Sequence, residues 1–580
     1  MKNKVVHIVF VCVALLSFTQ ILAQSEGAKD TLDTQLVKVV KPYTPKISDA
    51  FKIKQFPSLE HHNNSKKRPV EYTIFSVPVA SVFSPAKSKS VGLEQLKREK
   101  KFSNIAIISA GNYMNLQGDL FLNSSISKGK NLEAYLGHHS SQGGIKDLFL
   151  DDDFSTSRAL LKYEVSNREK YWNLEAGVQR SASNWYGLFP DFETHQQQPF
   201  DVKQVVSIVE AKSSLNLNES IFDATDAQFY FLKDDFDSKE MRGQLDSNLN
   251  LDLFHTPITT KIGFDMLSGT FAQNFSQSTP LNYENFIAFI APSHTLNFSN
   301  FNINIGFKTV YFNDFEHAKQ KFYVYPKIKT SAAIVNSILI AYAGIDGDLI
   351  QNTYKDLYLE NSFVSPTLNI KPTSMSYKLF FGTKGKLSNS LSYDISGAFS
   401  QQNDAVFFQK NWHSGAYNSM GYANGNSFGL VYDDLQTVSI QGVLNFELND
   451  QFNFSGSATF NSFNLDTEEN AWNLPEIEST LSMRYHPTDR LFFGVQGYFT
   501  GERYDFQKFE SSTITNANFD KIISLDAFFD LNIDATYAID KRWSARLELN
   551  NILGKNYQRW MHFPVQGLQI SVAAFYKFDL

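Results

Sequence analysis

The segment LDAFFDLNIDATYAI, residues 525–539, alternates apolar and polar positions along its whole length. Leu525, Ala527, Phe529, Leu531, Ile533, Ala535, Tyr537 and Ile539 fall on one face. Asp526, Phe528, Asp530, Asn532, Asp534 and Thr536 fall on the other. Successive side chains of an extended chain point to opposite faces, so a strand here has one apolar face and one acidic face. Its length narrows the choice further. Strands of soluble sandwiches run to about 5–6 residues, whereas a tilted strand that crosses a bilayer needs roughly 9–11. The segments at 436–448 and 490–502 are of the second kind. The same alternation recurs in RWSARLELN, where Trp543, Ala545, Leu547 and Leu549 oppose Arg542, Arg546 and Glu548. It recurs again in FNINIGF, residues 301–307.

From about Ser103 onward such segments follow one another and helical periodicity is nearly absent. Short turn signals join them at Ser388-Asn389, Asn449-Asp450, Pro487–Asp489 and Asp540-Lys541. Long polar stretches separate them at 182–202, 413–427, 503–520 and 551–566. Counted back from the C-terminus, short and long connections alternate, the signature of an outer-membrane barrel with short periplasmic turns and long external loops. The expected fold class is therefore all-β, a large antiparallel transmembrane barrel of about 22 strands. The competing architecture is a soluble sandwich or propeller, which would need shorter strands and a more polar outer face. In the barrel, Asp526, Asp530, Asp534, Arg542, Arg546, Glu548 and Lys577 are expected to face the lumen, because charge on the lipid side costs up to about 2–4 kcal/mol at the midplane.

Composition agrees. Aromatic residues make up 14% of the 580 residues, with 52 Phe, while charged residues make up only 19%. Mean hydropathy is nevertheless −0.28, which excludes a bundle of membrane-spanning helices. A net charge of −7 gives no reason to expect nucleic acid as a partner.

The one long apolar run is N-terminal. Lys2 and Lys4 precede an apolar stretch from Val5 to Phe18 and a small residue at Ala23, which reads as a secretory signal peptide over 1–23 cut at Ala23 or Gln24. The single cysteine, Cys12, lies within it, so the mature chain is expected to have no disulfide and no thiol chemistry. Residues 24–102 are rich in Pro, Lys and Ser and read as an extended periplasmic or lumenal segment, with the barrel occupying 103–580.

No nucleophile elbow, Walker loop or His-Glu-x-x-His is present, so neither an enzyme nor a catalytic residue is expected. His61-His62 and His138-His139 are adjacent, and neighbours on a strand point apart, which opposes a shared metal. Asp151, Asp152 and Asp153 could offer oxygens to a hard cation, but a solvated loop is the simpler reading. No metal and no cofactor is expected.

The chain ends on GLQISVAAFYKFDL. Leu568, Ile570, Val572, Ala574, Tyr576, Phe578 and Leu580 share an apolar face, and Gln569, Ser571, Ala573, Phe575, Lys577 and Asp579 share the other. Such a strand fits the seam of a barrel, pairing with the first. The stretch before it carries Asn551-Ile552, Tyr557, Pro564 and Gly567, and it closes on Phe578. In these features the last 30 or so residues resemble the end of TonB-dependent outer-membrane receptors, in an aromatic-rich style similar to Bacteroidetes members. The resemblance implies a Gram-negative outer membrane, uptake or passage of a solute, and an aromatic-ended strand, here Gly567, Leu568, Ile570, Val572, Tyr576 and Phe578, read by the barrel-insertion machinery. It also implies a box pulled by TonB, for which Leu36, Val37, Val39 and Val40 are the candidates. Family members carry a folded plug of over a hundred residues inside the barrel; residues 24–102 read as too short and Pro-rich for a full one. The expected partners are outer-membrane lipid, the insertion machinery, and TonB or a lipoprotein. Two other functions stay open: a structural or assembly subunit of an outer-membrane complex, and an open diffusion channel.

Overall fold

Twenty-two strands hydrogen-bond into one closed antiparallel ring, each pairing with its neighbours in the barrel wall. A computed structural model describes residues 102–188, 201–218, 220–253, 256–276, 278–412, 420–449, 451–508 and 521–579. The signal-peptide cleavage site and the TonB-box candidates lie outside the described residues, as do His61-His62.

The ring closes where the first strand, Asn104–Gly111, pairs with the last, Gln569–Phe578, in a register running from Asn104 opposite Phe578 to Gly111 opposite Ser571. The other edge of the last strand pairs with Trp543–Asn550. Closure satisfies the backbone of every wall strand on both edges, the condition for a sheet to cross lipid.

Alternation separates the two faces of the wall. One register row carries Ala106, Leu120, Leu136, Ala159, Val178, Val209 and Phe231 across adjacent strands. The next residue along each strand belongs to a row of Asp119, Gly137, Arg158, Gln179, Ile208 and Leu232. The first row faces outward and stays open to the surroundings, as do Phe322 at 75% and Phe381 at 67% exposure. An apolar band this continuous is a lipid-facing surface, which places the barrel in an outer membrane. Aromatic rings gather near the end that carries the termini: Trp543 and Tyr576 lie 4.6 Å apart and Tyr576 and Phe578 5.6 Å apart between ring centroids. This is the usual girdle at a membrane interface.

Both termini of the ring and the tight turns at 389–390 and 489–490 sit at one end, the periplasmic end. At the other end, here called the mouth, are the connections 351–372 and 551–568 and the described parts, 185–188, 201–202, 411–412, 420–427, 501–508 and 521–527, of three more. In the first half of the chain some mouth connections are as short as the periplasmic turns, among them 112–115, 235–238 and 315–318. The contrast in connection length that is so clear near the C-terminus is therefore lost there.

Two details differ from the sequence reading. Residues 525–539 are not one strand. Lys521–Leu525 pairs with Arg503–Gln507 as a hairpin above the wall, and the wall strand is Phe528–Ala538. Asp526 falls in the break and is exposed, not lumenal. Arg542 lies in the periplasmic turn, its guanidinium 5.5 Å from the Phe102 ring centroid. The other expected lumenal groups do share the inner face: Arg546 pairs with Glu548 at 2.9 Å, and Asp530 accepts from the Tyr557 hydroxyl at 2.8 Å. Asp534 and Lys577 lie on the same face as these by register.

Candidate functional site: the loop-filled mouth

The wall strands on either side of the 411–427 connection, Leu391–Lys410 and Phe428–Asn449, are far longer than a bilayer crossing requires. Their upper parts form a hairpin covered on both sides. Phe408 and Phe428 pack in one apolar cluster with Tyr354, Val364 and Phe563. Ala405 and Phe407 pack in another with Trp472 and Leu435. A hairpin with both faces covered lies among the mouth loops rather than along the lipid.

The 351–372 loop packs against this hairpin through Tyr354 and Val364. Thr353 caps a short helix, Tyr354–Glu360, accepting from the Asp356 amide at 3.0 Å. The helix buries Tyr354, Leu357 and Tyr358 against Val206, Leu232, Leu267 and Phe271 of the strands Lys203–Leu217, Phe222–Asp234 and Thr256–Phe271. Burying each such side chain contributes about 1.5–3 kcal/mol.

One carboxylate anchors it. Glu240, 1% exposed at the mouth end of Lys239–Leu253, accepts from the backbone amides of Tyr354 at 2.7 Å and Lys355 at 2.9 Å. It also accepts from the hydroxyls of Tyr230 at 2.9 Å and Tyr283 at 2.7 Å. An isolated buried carboxylate is strongly unfavourable; these donors are what make its burial tolerable. Around it, the Tyr354 hydroxyl donates to Asp234 at 3.1 Å and Lys355 Nζ to Glu210 at 3.0 Å. Arg242 holds Asp265 through two hydrogen bonds, 2.9 and 2.6 Å.

A second wedge comes from the hairpin Gln558–Trp560 and Phe563–Pro564. Phe563 stacks on Phe363 and meets Tyr186 edge-on at 5.0 Å. Trp560 meets Phe408 edge-on at 5.3 Å. Lys410 ties the pieces together, donating to the carbonyls of Gly187 and Met561, each at 2.8 Å. Its backbone amide donates to Asp505 at 3.1 Å. Burial pulls the Lys410 ammonium down and pushes the Asp505 carboxyl up, and the attraction between the two charges opposes both shifts. Arg503 donates to the carbonyls of Gln558, at 2.8 Å, and Arg559. His562, at the hairpin tip with φ 65°, is held far below its usual range, to about 2, by burial and by the nearby Lys410 charge.

Of the residues singled out in the sequence, His138 and His139 point apart. His138 Nδ1 lies 2.8 Å from the Ser157 hydroxyl on the outer face, and His139 lies edge-on to Phe154 at 5.2 Å. Asp152 accepts from the Gly143 amide at 2.7 Å and Asp153 from Asn184 at 2.6 Å, so the aspartates shape their own loop. In the last strand, Ile570 and Val572 are exposed on the outer face and Phe575 is buried on the inner. The mouth residues Glu240, Lys410 and Phe563 were not foreseen. Thr353, with Asp356 after it, is a helix-start signal of the ordinary kind, but seven residues of helix among long strands leave little periodicity to find.

No family model matches the chain, and no curated protein matches it in sequence. Solved structures do resemble it. It is similar to the ferripyoverdine receptor of the outer membrane of Pseudomonas aeruginosa at 12% identity and TM-score 0.55, over 82% of this chain and 72% of that one. It is similar to the ferric-catecholate import receptor Fiu from K12 E. coli at 10% identity and TM-score 0.58, over 83% and 82%. It is similar to the copper transporter OprC at 12% identity and TM-score 0.55, over 83% and 81%. The likeness is one of fold: this chain has the closed 22-strand barrel that those receptors share.

Proposed function

We propose that the chain is an outer-membrane uptake receptor of TonB-dependent type, in which the mouth loops hold the lumen shut and yield to admit a solute. The observation that carries this reading is the 351–372 loop, folded into the mouth with the backbone amides of Tyr354 and Lys355 both donating to Glu240 of the wall. A free diffusion channel has no use for so much buried contact across its entrance. The named roles of the similar barrels, import receptors and a transporter, point the same way.

Several parts of the proposal rest on residues beyond this site. Leu36, Val37, Val39 and Val40 would supply the segment that TonB pulls. Cleavage at Ala23 or Gln24 would deliver residues 24–102 to the periplasmic side. The last strand, ending Tyr576 and Phe578, would be the element recognised by the insertion machinery, with outer-membrane lipid around the ring. A lipoprotein partner would dock at the mouth.

Planar-bilayer recording tests the central claim. The mature protein should conduct poorly, and a variant lacking residues 354–370 should conduct as a wide pore. Equal, large conductance from both would sink the receptor reading in favour of an open channel. Low conductance from both, with a stably co-purifying partner, would favour an assembly subunit.

A further inference from the structure

The outer face of the wall is not apolar throughout. One step nearer the mouth than the row of Leu120, Leu136 and Val178 runs a second outward row. It passes from Ile108 to Gly118 and His138, through Ser157 to Arg180, and through Ser207 to Lys233 and Lys239. Between the two rows lies a trough of about 720 Å³ that crosses six strands. Gly118 and Ala159 leave it open, and Ile108, Leu136, Val178 and Val209, each more than half exposed, stand along it.

The row climbs as it goes round. Counted from the periplasmic end of each strand, Ile108 is the fifth residue of Asn104–Gly111, Arg180 the eleventh of Lys170–Asn184 and Lys239 the fifteenth of Lys239–Leu253. Strands of such barrels tilt by about 35–45°, so a row drawn across them is oblique to the bilayer. The trough therefore descends from the mouth end of the wall into the hydrocarbon layer.

Its upper end is cationic. Lys233 stands directly opposite Lys239, and Arg180 lies two strands from Lys233 in the same row. All three are exposed. Like charges facing each other across a strand pair are destabilising, and charge on the lipid side is tolerated only near an interface. Among the described residues none of the three makes an ion pair or a side-chain hydrogen bond. Lys203, the other outward basic residue on these strands near the mouth, is held by Asp153 at 3.5 Å. The row itself contains no carboxylate. Asp235 and Asp237 lie in the mouth turn between the two lysine strands, where Asp235 accepts from the Val205 amide at 3.1 Å. Glu284 lies two strands beyond Lys239 and one step lower.

We propose that the trough and the cations above it bind one anionic, phosphate-bearing lipid of the outer leaflet. Its phosphate sits at Arg180, Lys233 and Lys239, and an acyl chain lies along the trough. Phosphate oxygens accept charge-assisted hydrogen bonds from guanidinium and ammonium groups, and they relieve the repulsion between the facing lysines. The descent of the trough from the cations is the direction in which an acyl chain leaves its headgroup. The proposal needs only the barrel's place in an outer membrane and does not depend on the uptake reading.

The test titrates the full mature chain in neutral detergent with dioleoyl phosphatidic acid, and in parallel with dioleoyl phosphatidylcholine and inorganic phosphate, followed by native mass spectrometry. One saturable phosphatidic acid per barrel is expected, bound at least tenfold more tightly than phosphatidylcholine and not displaced by an equal concentration of phosphate. Arg180→Gln and the double variant Lys233→Gln, Lys239→Gln should each weaken it tenfold or more. A Cβ at Gly118 meets no atom within 4 Å, so Gly118→Leu fills the trough without disturbing the wall and should weaken binding as much. Ala159→Leu fills it from another strand. Lys130→Gln, at the periplasmic end, should change nothing. Heat-modifiable migration identifies the folded variants. The proposal is overturned if the parent protein has no saturable site, if the charge variants bind as the parent does, or if phosphatidylcholine binds equally well. Displacement by inorganic phosphate, or binding untouched by both Gly118→Leu and Ala159→Leu, also overturns it, because the site would then hold an anion and no acyl chain.

Discussion

Phe563 and Phe363 lie face to face, ring centroids 3.9 Å apart and planes 21° from parallel, although one belongs to the last mouth loop and the other to the loop that carries the helix. The two loops reach the mouth from different parts of the ring, and this stack is where they meet.

Phe563→Ala should therefore uncouple the two loops. Loss of a buried Phe typically costs about 3–5 kcal/mol. The wall does not depend on the ring, so the barrel should remain heat-modifiable while mouth loops become sensitive to added protease. Unchanged proteolysis would show that the stack does not hold the mouth.

Gly187→Val should loosen the same contact from the other side. Gly187 is buried, and a Cβ there would strike the Phe563 ring. Its carbonyl also accepts from Lys410 at 2.8 Å. The substitution should make the mouth loops sensitive to added protease, as expected for Phe563→Ala, and the double variant should add little, because both act on one contact.

Glu240→Ala should release the helix. It strands two backbone amides and two tyrosine hydroxyls in an apolar setting. An unsatisfied buried polar group costs about 1–3 kcal/mol, so the closed arrangement of this loop should be lost altogether. Hydrogen exchange at residues 354–360 is the direct measurement, with fast exchange expected in the variant and slow exchange in the parent.

How much of this could be read in advance depends on the residue. The strands announced themselves because a wall with lipid outside and charge inside must alternate strictly, as Phe528–Ala538 does. The turn at Asp540-Lys541 was equally plain, since tight hairpins demand particular residues. The mouth was opaque because its key contacts join residues distant in sequence, such as Glu240 with Tyr354, and because a buried Glu on a strand reads locally as one more lumenal charge. Leu525 misled for a related reason. It continues the alternation of the wall strand but belongs to a separate hairpin, and periodicity does not reveal a break in pairing.

Acidification should open the mouth. His562 is held to about 2 by burial, against an ordinary value of 6.5. Above pH about 6.5 the ring is neutral whether the mouth is closed or open, and its effect is nil. Below that, only the open form takes up the proton, so closure weakens about tenfold per pH unit, or about 1.4 kcal/mol. Conductance should rise between pH 6.5 and 5 and should lose that dependence in His562→Asn, which also tolerates φ 65°. A flat profile in the parent protein would count against this account.

The pairing of Asn104 with Phe578 joins residues 474 positions apart. Every other wall strand can find its partner as soon as its neighbour exists, but this pair must wait for the whole sheet. Until then the incomplete sheet keeps two open edges, one at each end of its strand order. In lipid each unsatisfied group on those edges costs several kcal/mol. A partly made ring is therefore no resting state in the bilayer. Assembly is driven toward a single concluding event, in which both edges disappear together.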